Sequence, residues 1–289
     1  MMRKLAIDTN VLLGFYRTGK DKLATLGDLA RLGEQVVFPE QVMREFRRNR
    51  ESVIDEYLKM FSTPAVPLAP GFLADSTEHA EVATAHAAYK KAFDQLVRLA
   101  RDRQRDPSRD PVAQKVESLY KSAKRLDVSD AMVDRARRRN LRGDPPSSTK
   151  KRSVGDEIIW ETILDAVQDD LVLVTRDSGF TDSAAFLVTE YRERTGRKLE
   201  MVGKISEAQK RLGRPRKETE RAKKGEQEAM GWTVRFMKLR DKSLQSATTT
   251  ASSGSAFSST LSLDETPRFC AKCGTPLGPK GDCKMCGSG

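Results

Sequence analysis

Four carboxylates in this chain fall where an acidic, cation-dependent hydrolytic centre needs them: Asp8, Glu45, Asp156 and Asp177. Two of them close short apolar runs. Lys4-Leu-Ala-Ile7 leads into Asp8, and Leu171-Val-Leu-Val174 leads through Thr175 and Arg176 to Asp177. Short apolar runs bounded by polar residues read as buried strands, so both acids are expected at strand ends. The other two fall in stretches with helical spacing. Four carboxylates brought together without a counterion would repel one another and partly protonate. A divalent cation relieves this, and oxygen-only ligands favour a hard ion, Mg²⁺ or Mn²⁺. One or two such ions would activate water and stabilise the charge of a phosphoryl group under attack.

Each acid also has a plainer reading. Asp8 and Asp177-Ser-Gly179 read as turn residues, Asp156 as a helix N-cap in competition with Ser153, and Glu45 as one more charge beside Arg44, Arg47 and Arg48. It is their combination and order that favours a site. His79 and His86 stand seven apart in a helical stretch and read as helix-surface residues.

Strands are expected over residues 3–7, 35–38, 171–175 and 198–202, and helices over 21–32, 39–61, 156–167 and 183–194. Strands alternating with helices predict an α/β fold, a parallel sheet flanked by helices. In an open sheet of this kind, ligands bind at the carboxyl ends of the strands. If the strands before Asp8 and Asp177 are neighbours, their carboxylates converge there. Residues 78–140 carry a long helical pattern, broken at Asp106-Pro107 and Asp110-Pro111, and read as a helical insertion beside the sheet. The main domain is thus expected over residues 1–203. A basic helical arm follows over 204–242, then a Ser/Thr-rich flexible linker over 243–267, then a cysteine-bearing tail over 268–289.

The formal net charge is +11 and the pI about 9.5. The arm holds 13 Lys and Arg against 6 Asp and Glu, so most of the excess sits there. That balance favours a polyanionic partner, nucleic acid above all. Within the arm, Leu212-Gly-Arg-Pro-Arg-Lys217 resembles the core of an AT-hook, which makes Arg214, Arg216 and Lys217 candidate nucleic-acid contacts; the plainer reading is a basic break between two helices. No run approaches a membrane span, and no secretory signal is expected, since the apolar start is interrupted by Asp8 and Asn10. All four cysteines lie in the last 20 residues. Cys270-Ala-Lys-Cys273 and Cys283-Lys-Met-Cys286 form a CxxC pair separated by nine residues, the pattern of a structural Zn²⁺ ribbon. So small a segment would take its folding energy from the metal. Thiols of this kind fit a reducing, cytoplasmic compartment.

The motifs together resemble those of the PIN-domain nucleases, in particular their larger bacterial PIN-like branch. The match runs through Ala6-Ile-Asp8-Thr-Asn10, Phe38-Pro-Glu-Gln-Val-Met-Arg-Glu45-Phe-Arg-Arg-Asn-Arg50, Gly143-Asp-Pro-Pro146, Gly155-Asp156-Glu-Ile-Ile-Trp160 and Val172-Leu-Val-Thr175-Arg-Asp177, over about residues 3–203. It implies a Mg²⁺- or Mn²⁺-dependent nuclease, with RNA the favoured substrate and DNA the other candidate. Asp8, Glu45, Asp156 and Asp177 would bind metal or activate water. Asn10 and Thr175 would support them, and Arg47 and Arg50 would hold a phosphate. Dimerisation is common in the family. Arg176 departs from it, standing where a small, polar or acidic residue is usual. Two alternatives are a non-catalytic nucleic-acid adaptor on the same scaffold and a haloacid-dehalogenase-like phosphatase. The phosphatase requires a second acid two residues after Asp8, where this chain has Asn10.

Overall fold

A computed structural model of the chain describes residues 3–17, 20–59, 61, 71–147 and 153–227. Five strands, β1 (Lys4–Ile7), β2 (Val36–Pro39), β3 (Lys124–Leu126), β4 (Leu171–Val174) and β5 (Leu199–Val202), form one sheet in the order β3-β2-β1-β4-β5, with every pair parallel. β2 and β4 are buried at every position, as befits strands covered on both faces.

The helices are α1 (Thr9–Leu13), α2 (Lys20–Ala30), α3 (Glu40–Leu58), α4 (Thr77–Arg105), α5 (Pro111–Ser122), α6 (Asp130–Arg142), α7 (Gly155–Ala166), α8 (Ser178–Thr181), α9 (Ala184–Thr195) and α10 (Ile205–Arg211). Right-handed crossovers put α2 and α5 on one face of the sheet and α7 and α9 on the other. The packing agrees, with α2 lying against α5 and α7 against α9. Helix α7 carries Ile158, Ile159, Trp160, Ile163 and Leu164, all buried, and is the central helix of its layer. Local chemistry sets the boundaries: Asp110 accepts from the Val112 amide with Pro111 at the first helical position, and Ser129 caps α6.

The expected insertion over 78–140 is only partly an insertion. Its first half, α4, has no buried residue, and Val82, Tyr89, Leu96 and Leu99 stand exposed along it. Its second half is part of the core: α5 buries Val112, Ala113, Val116 and Leu119, and β3 is a strand of the sheet. Three residues, two of them the exposed Lys124 and Arg125, give no legible apolar run. The strand exists because β2 offers it a hydrogen-bonding edge.

The basic arm likewise begins inside the fold. Ala208 and Ala222 belong to the hydrophobic core, Glu226 accepts from the Ser206 amide and hydroxyl at 3.1 and 2.6 Å, and Arg221 reaches both oxygens of buried Asp28 at 3.0 Å. Arg214-Pro215 is the break between α10 and helical residues 216–227, with Gly213 at φ 69° and Arg214 paired to Glu218. This is the plainer of the two readings of that motif; Arg216 and Lys217 remain exposed. The rest of the arm, the expected linker and the four cysteines Cys270, Cys273, Cys283 and Cys286 lie outside the described residues. Among the described residues no helix is long and apolar enough to cross a membrane.

Candidate active site

The strand order reverses between β1 and β4, which are neighbours with Ile7 opposite Val174. A crevice opens at the carboxyl end of such a pair, and Asp8 stands there as the first residue past β1. Its amide donates to the Val174 carbonyl at 2.9 Å, so the backbone that carries it is the last rung of the ladder. The side chain is 4 % exposed. The Thr175 hydroxyl, one residue past β4, donates to Asp8 Oδ2 at 2.6 Å, and that hydroxyl oxygen accepts from the Asp177 amide at 3.1 Å. Thr175 therefore ties the two strand ends together.

Asp177 begins the turn into α8, and its Oδ1 accepts from the Gly179 amide at 2.9 Å. The plain turn reading of this acid is thus true of one oxygen, and the bond fixes its orientation. Gly179 is where the chain can pass: a Cβ there would collide with the Pro146 carbonyl. Through that contact the Gly143–Pro146 segment reaches the rim.

Glu45 arrives from the second turn of α3. Thr9 donates to its Oε2 at 3.2 Å and Gln41 to its Oε1 at 2.9 Å. Its tip lies directly against Gly155, where any Cβ would collide with Oε1. Asp156 follows on the first turn of α7. The N-cap is Val154, so neither Asp156 nor Ser153 caps this helix with a side chain.

Electrostatics report the same convergence. The Asp8 carboxyl is pushed up to about 7, first by burial and then by the negative charges of Asp156 and Asp177, against the lowering effect of the Thr175 hydrogen bond. The structure therefore brings Asp8, Asp156 and Asp177 within mutual influence and sets Glu45 beside Asp8 through Thr9 and beside Asp156 through Gly155.

The supporting residues divide. Asn10 is half-buried and its Oδ1 is buried with no hydrogen-bond partner. Arg47 is exposed and pairs with Glu117 of α5 at 2.8 Å. Arg50 is not available to a phosphate. It is 2 % exposed, its Nε donates to Asp110 at 2.8 Å, and its remaining nitrogens donate to the Gln104 and Arg103 carbonyls. Every donor group is committed to holding the α4–α5 junction onto α3.

Three contributors carried no recognisable signal in the sequence. Thr9 and Gln41 orient Glu45, and a polar residue four before an acid on a helix is too common to single out. Glu157, beside Asp156, is 1 % exposed; its Oε1 accepts from Asn140 and Ser147 at 2.8 and 2.7 Å, and its Oε2 has no hydrogen-bond partner. It ties the 143–147 segment to α7.

Among the described residues no group of three or more His, Cys, Asp or Glu side chains is arranged to hold a metal ion as it stands. The chemistry of the rim nevertheless suits a hard divalent cation. The donors are all oxygen, Asp8 is strongly desolvated beside two further acids, and the Asn10 carbonyl oxygen is buried and unmatched.

No curated protein and no solved structure matches the chain. A family model does, described as a PIN domain and spanning residues 5–180. That span starts within β1, ends within α8 and takes in all four acids, so the chain belongs to the PIN-domain family.

Proposed function

We propose that this protein is a Mg²⁺- or Mn²⁺-dependent nuclease that hydrolyses phosphodiester bonds, with RNA as its favoured substrate. PIN domains are generally nucleases. The observation that carries the reading is the Asp8 carboxyl at the switch point between β1 and β4, raised chiefly by its burial and further by the charges of Asp156 and Asp177. A fold selected for stability alone has no reason to gather like charges around a buried acid.

Asp8, Glu45, Asp156 and Asp177 would hold the cation, which when bound supplies positive charge to polarise water and the phosphoryl oxygens. The chain's own residues do the positioning. Thr175 fixes Asp8 and, through the Asp177 amide, the turn after β4. Thr9 and Gln41 fix Glu45. Gly155 leaves room for the Glu45 tip beside Asp156. Water attacks in line with the leaving oxygen, and the expected products carry a 5′-phosphate and a 3′-hydroxyl. Exposed Arg216 and Lys217 supply phosphate contacts away from the rim, and the Cys270, Cys273, Cys283 and Cys286 set binds structural Zn²⁺.

The test is cleavage of single-stranded and structured RNA and DNA oligonucleotides with Mn²⁺ or Mg²⁺, beside Asp8→Asn and a chelator control. Metal-dependent cleavage lost in Asp8→Asn supports the reading and identifies the substrate. Tight binding with no cleavage of any substrate replaces it with the adaptor.

A further inference from the structure

Arginines recur on α6 at 135, 138, 139 and 142, spacings of three and four that stack them on one helical face. With Arg194 of α9 they line a cleft of about 250 Å³. Two of the five are neutralised. Arg135 pairs with Glu161 at 3.0 Å and Asp165 at 2.7 Å. Arg139 pairs with Glu161 at 2.8 Å and also with Glu190. Both oxygens of Glu161 are thereby taken, and Glu190 also accepts from the Trp160 indole at 2.8 Å. The acids in the floor of the cleft are used up.

Arg138, Arg142 and Arg194 are exposed, and no carboxylate pairs with any of them among the described residues. Asp144 is the remaining acid of the lining. Arg138 and Arg142 stand one turn apart, an arrangement that disfavours the helix through like-charge repulsion. A bound anion would remove that repulsion. Arginine's planar fork matches phosphate and carboxylate geometry alike. The carboxylates of the cleft floor are already spent on Arg135 and Arg139, and the anion that a nucleic-acid strand brings is phosphate.

The position matters as much as the charge. Arg139 Nη1 donates to the Pro145 carbonyl at 2.6 Å, and the next carbonyl, of Pro146, packs against Gly179 beside Asp177. One short segment, 143–147, thus has the arginine cleft on one side and the acidic rim on the other. A strand crossing it would present one phosphate to the acids and another to the arginines.

We propose that the cleft between α6 and α9 is a phosphate-binding site for the nucleic-acid strand; the identity of that strand as substrate rests on the function proposed above. The phosphate comes either from an internal diester or from a terminal 5′-monoester.

The experiment is anisotropy titration of single-stranded RNA, 5′-phosphorylated and 5′-hydroxyl, over a salt series, with full-length protein carrying Asp8→Asn. The cleft variant adds Arg138→Gln, Arg142→Gln and Arg194→Gln. The control variant adds Arg98→Gln, Arg101→Gln and Arg105→Gln on exposed α4, removing the same charge elsewhere. Each phosphate of a single strand that is no longer neutralised lowers the log–log salt slope by about 0.7. That decrease, with binding weakened several-fold at low salt, is expected in the cleft variant and not in the control. Weakening on both RNAs assigns an internal diester, and weakening confined to 5′-phosphorylated RNA assigns the terminal monoester. Equal slopes in the cleft and control variants overturn the site. Arg194→Gln alone, on α9, carries the same comparison should the α6 changes disturb folding. Cleavage by the protein with intact Asp8 is followed in parallel. Cleavage with no slope change removes the cleft and leaves the nuclease; a slope change with no cleavage does the reverse.

Discussion

Replacing Asp8 by Asn is expected to stabilise the protein while abolishing its cleavage. The side chain is 4 % exposed, and its carboxyl lies at about 7 rather than 3.8, chiefly through burial. In the folded state the proton stays on as pH rises from about 4 to about 7, whereas the unfolded chain has already released it. Stability therefore falls across that window and stays low above it. A displacement of this size corresponds to roughly 4 kcal/mol at alkaline pH. Asn is neutral and close in shape, so it escapes this cost. It still accepts from the Thr175 hydroxyl, but it faces the Thr9 amide, which also donates to Asp8, with less acceptor capacity, and this returns about 1 kcal/mol. The net gain at pH 8 in chelator is about 3 kcal/mol, or about 6–12 °C in Tm for a domain of this size. Thermal melts of both proteins at pH 5 and pH 8, with chelator and with Mn²⁺, measure it. The advantage should shrink at pH 5, where Asp8 largely keeps its proton, and shrink at pH 8 with Mn²⁺, which under the proposed function binds the ionised parent more tightly than the variant. A destabilised Asp8→Asn at pH 8, or a gain independent of pH, would refute the electrostatic account of the rim.

Gly155→Ala should lower cleavage at least tenfold and cost about 1–2 kcal/mol of stability, because the added methyl drives the Glu45 tip off its hydrogen bonds with Thr9 and Gln41; unchanged turnover would remove Glu45 from the centre. Gly179→Ala meets the rigid Pro146 carbonyl instead, so both Tm and activity should fall, and a fully stable variant would contradict the packing of the 143–147 segment. Arg50→Met strands Asp110 in the interior and should cost about 3–5 kcal/mol in denaturant melts, with RNA affinity of the folded fraction unchanged; a stable variant with weakened RNA binding would restore Arg50 to the phosphate site. The full chain should carry one equivalent of Zn²⁺, released on thiol modification of the cysteine tail without loss of folding of the residue 3–227 body; absence of zinc from protein purified without chelator would refute the ribbon.

The two central strands and the acids that follow them, Asp8 and Asp177, were legible along the chain because each property is local. Buried parallel strands demand unbroken apolar runs, so Leu5-Ala-Ile7 and Leu171-Val-Leu-Val174 stand out, and the polar residues that end them mark the carboxyl edge. Proline and aspartate at 106–111 fixed a helix boundary by stereochemistry alone. Adjacency was another matter. Only the strand order put β1 beside β4, and only then could Thr175 bond Asp8 and couple it to Asp177. β3 stayed hidden because a run of three residues, two of them exposed, carries no period. Residues 205–227 read as a free basic arm because, beside Ile205, the residues that dock it are small or polar, among them Ala208, Gln209, Thr219, Ala222 and Glu226, and mark no apolar face. Arg50 shows the limit most clearly. A guanidinium beside an acidic motif reads as a phosphate ligand in one dimension; in three it is spent on Asp110 and two carbonyls. Residue type sets what chemistry is possible, and burial and partners, which arise from contacts far apart in sequence, decide which of it each side chain is free to perform.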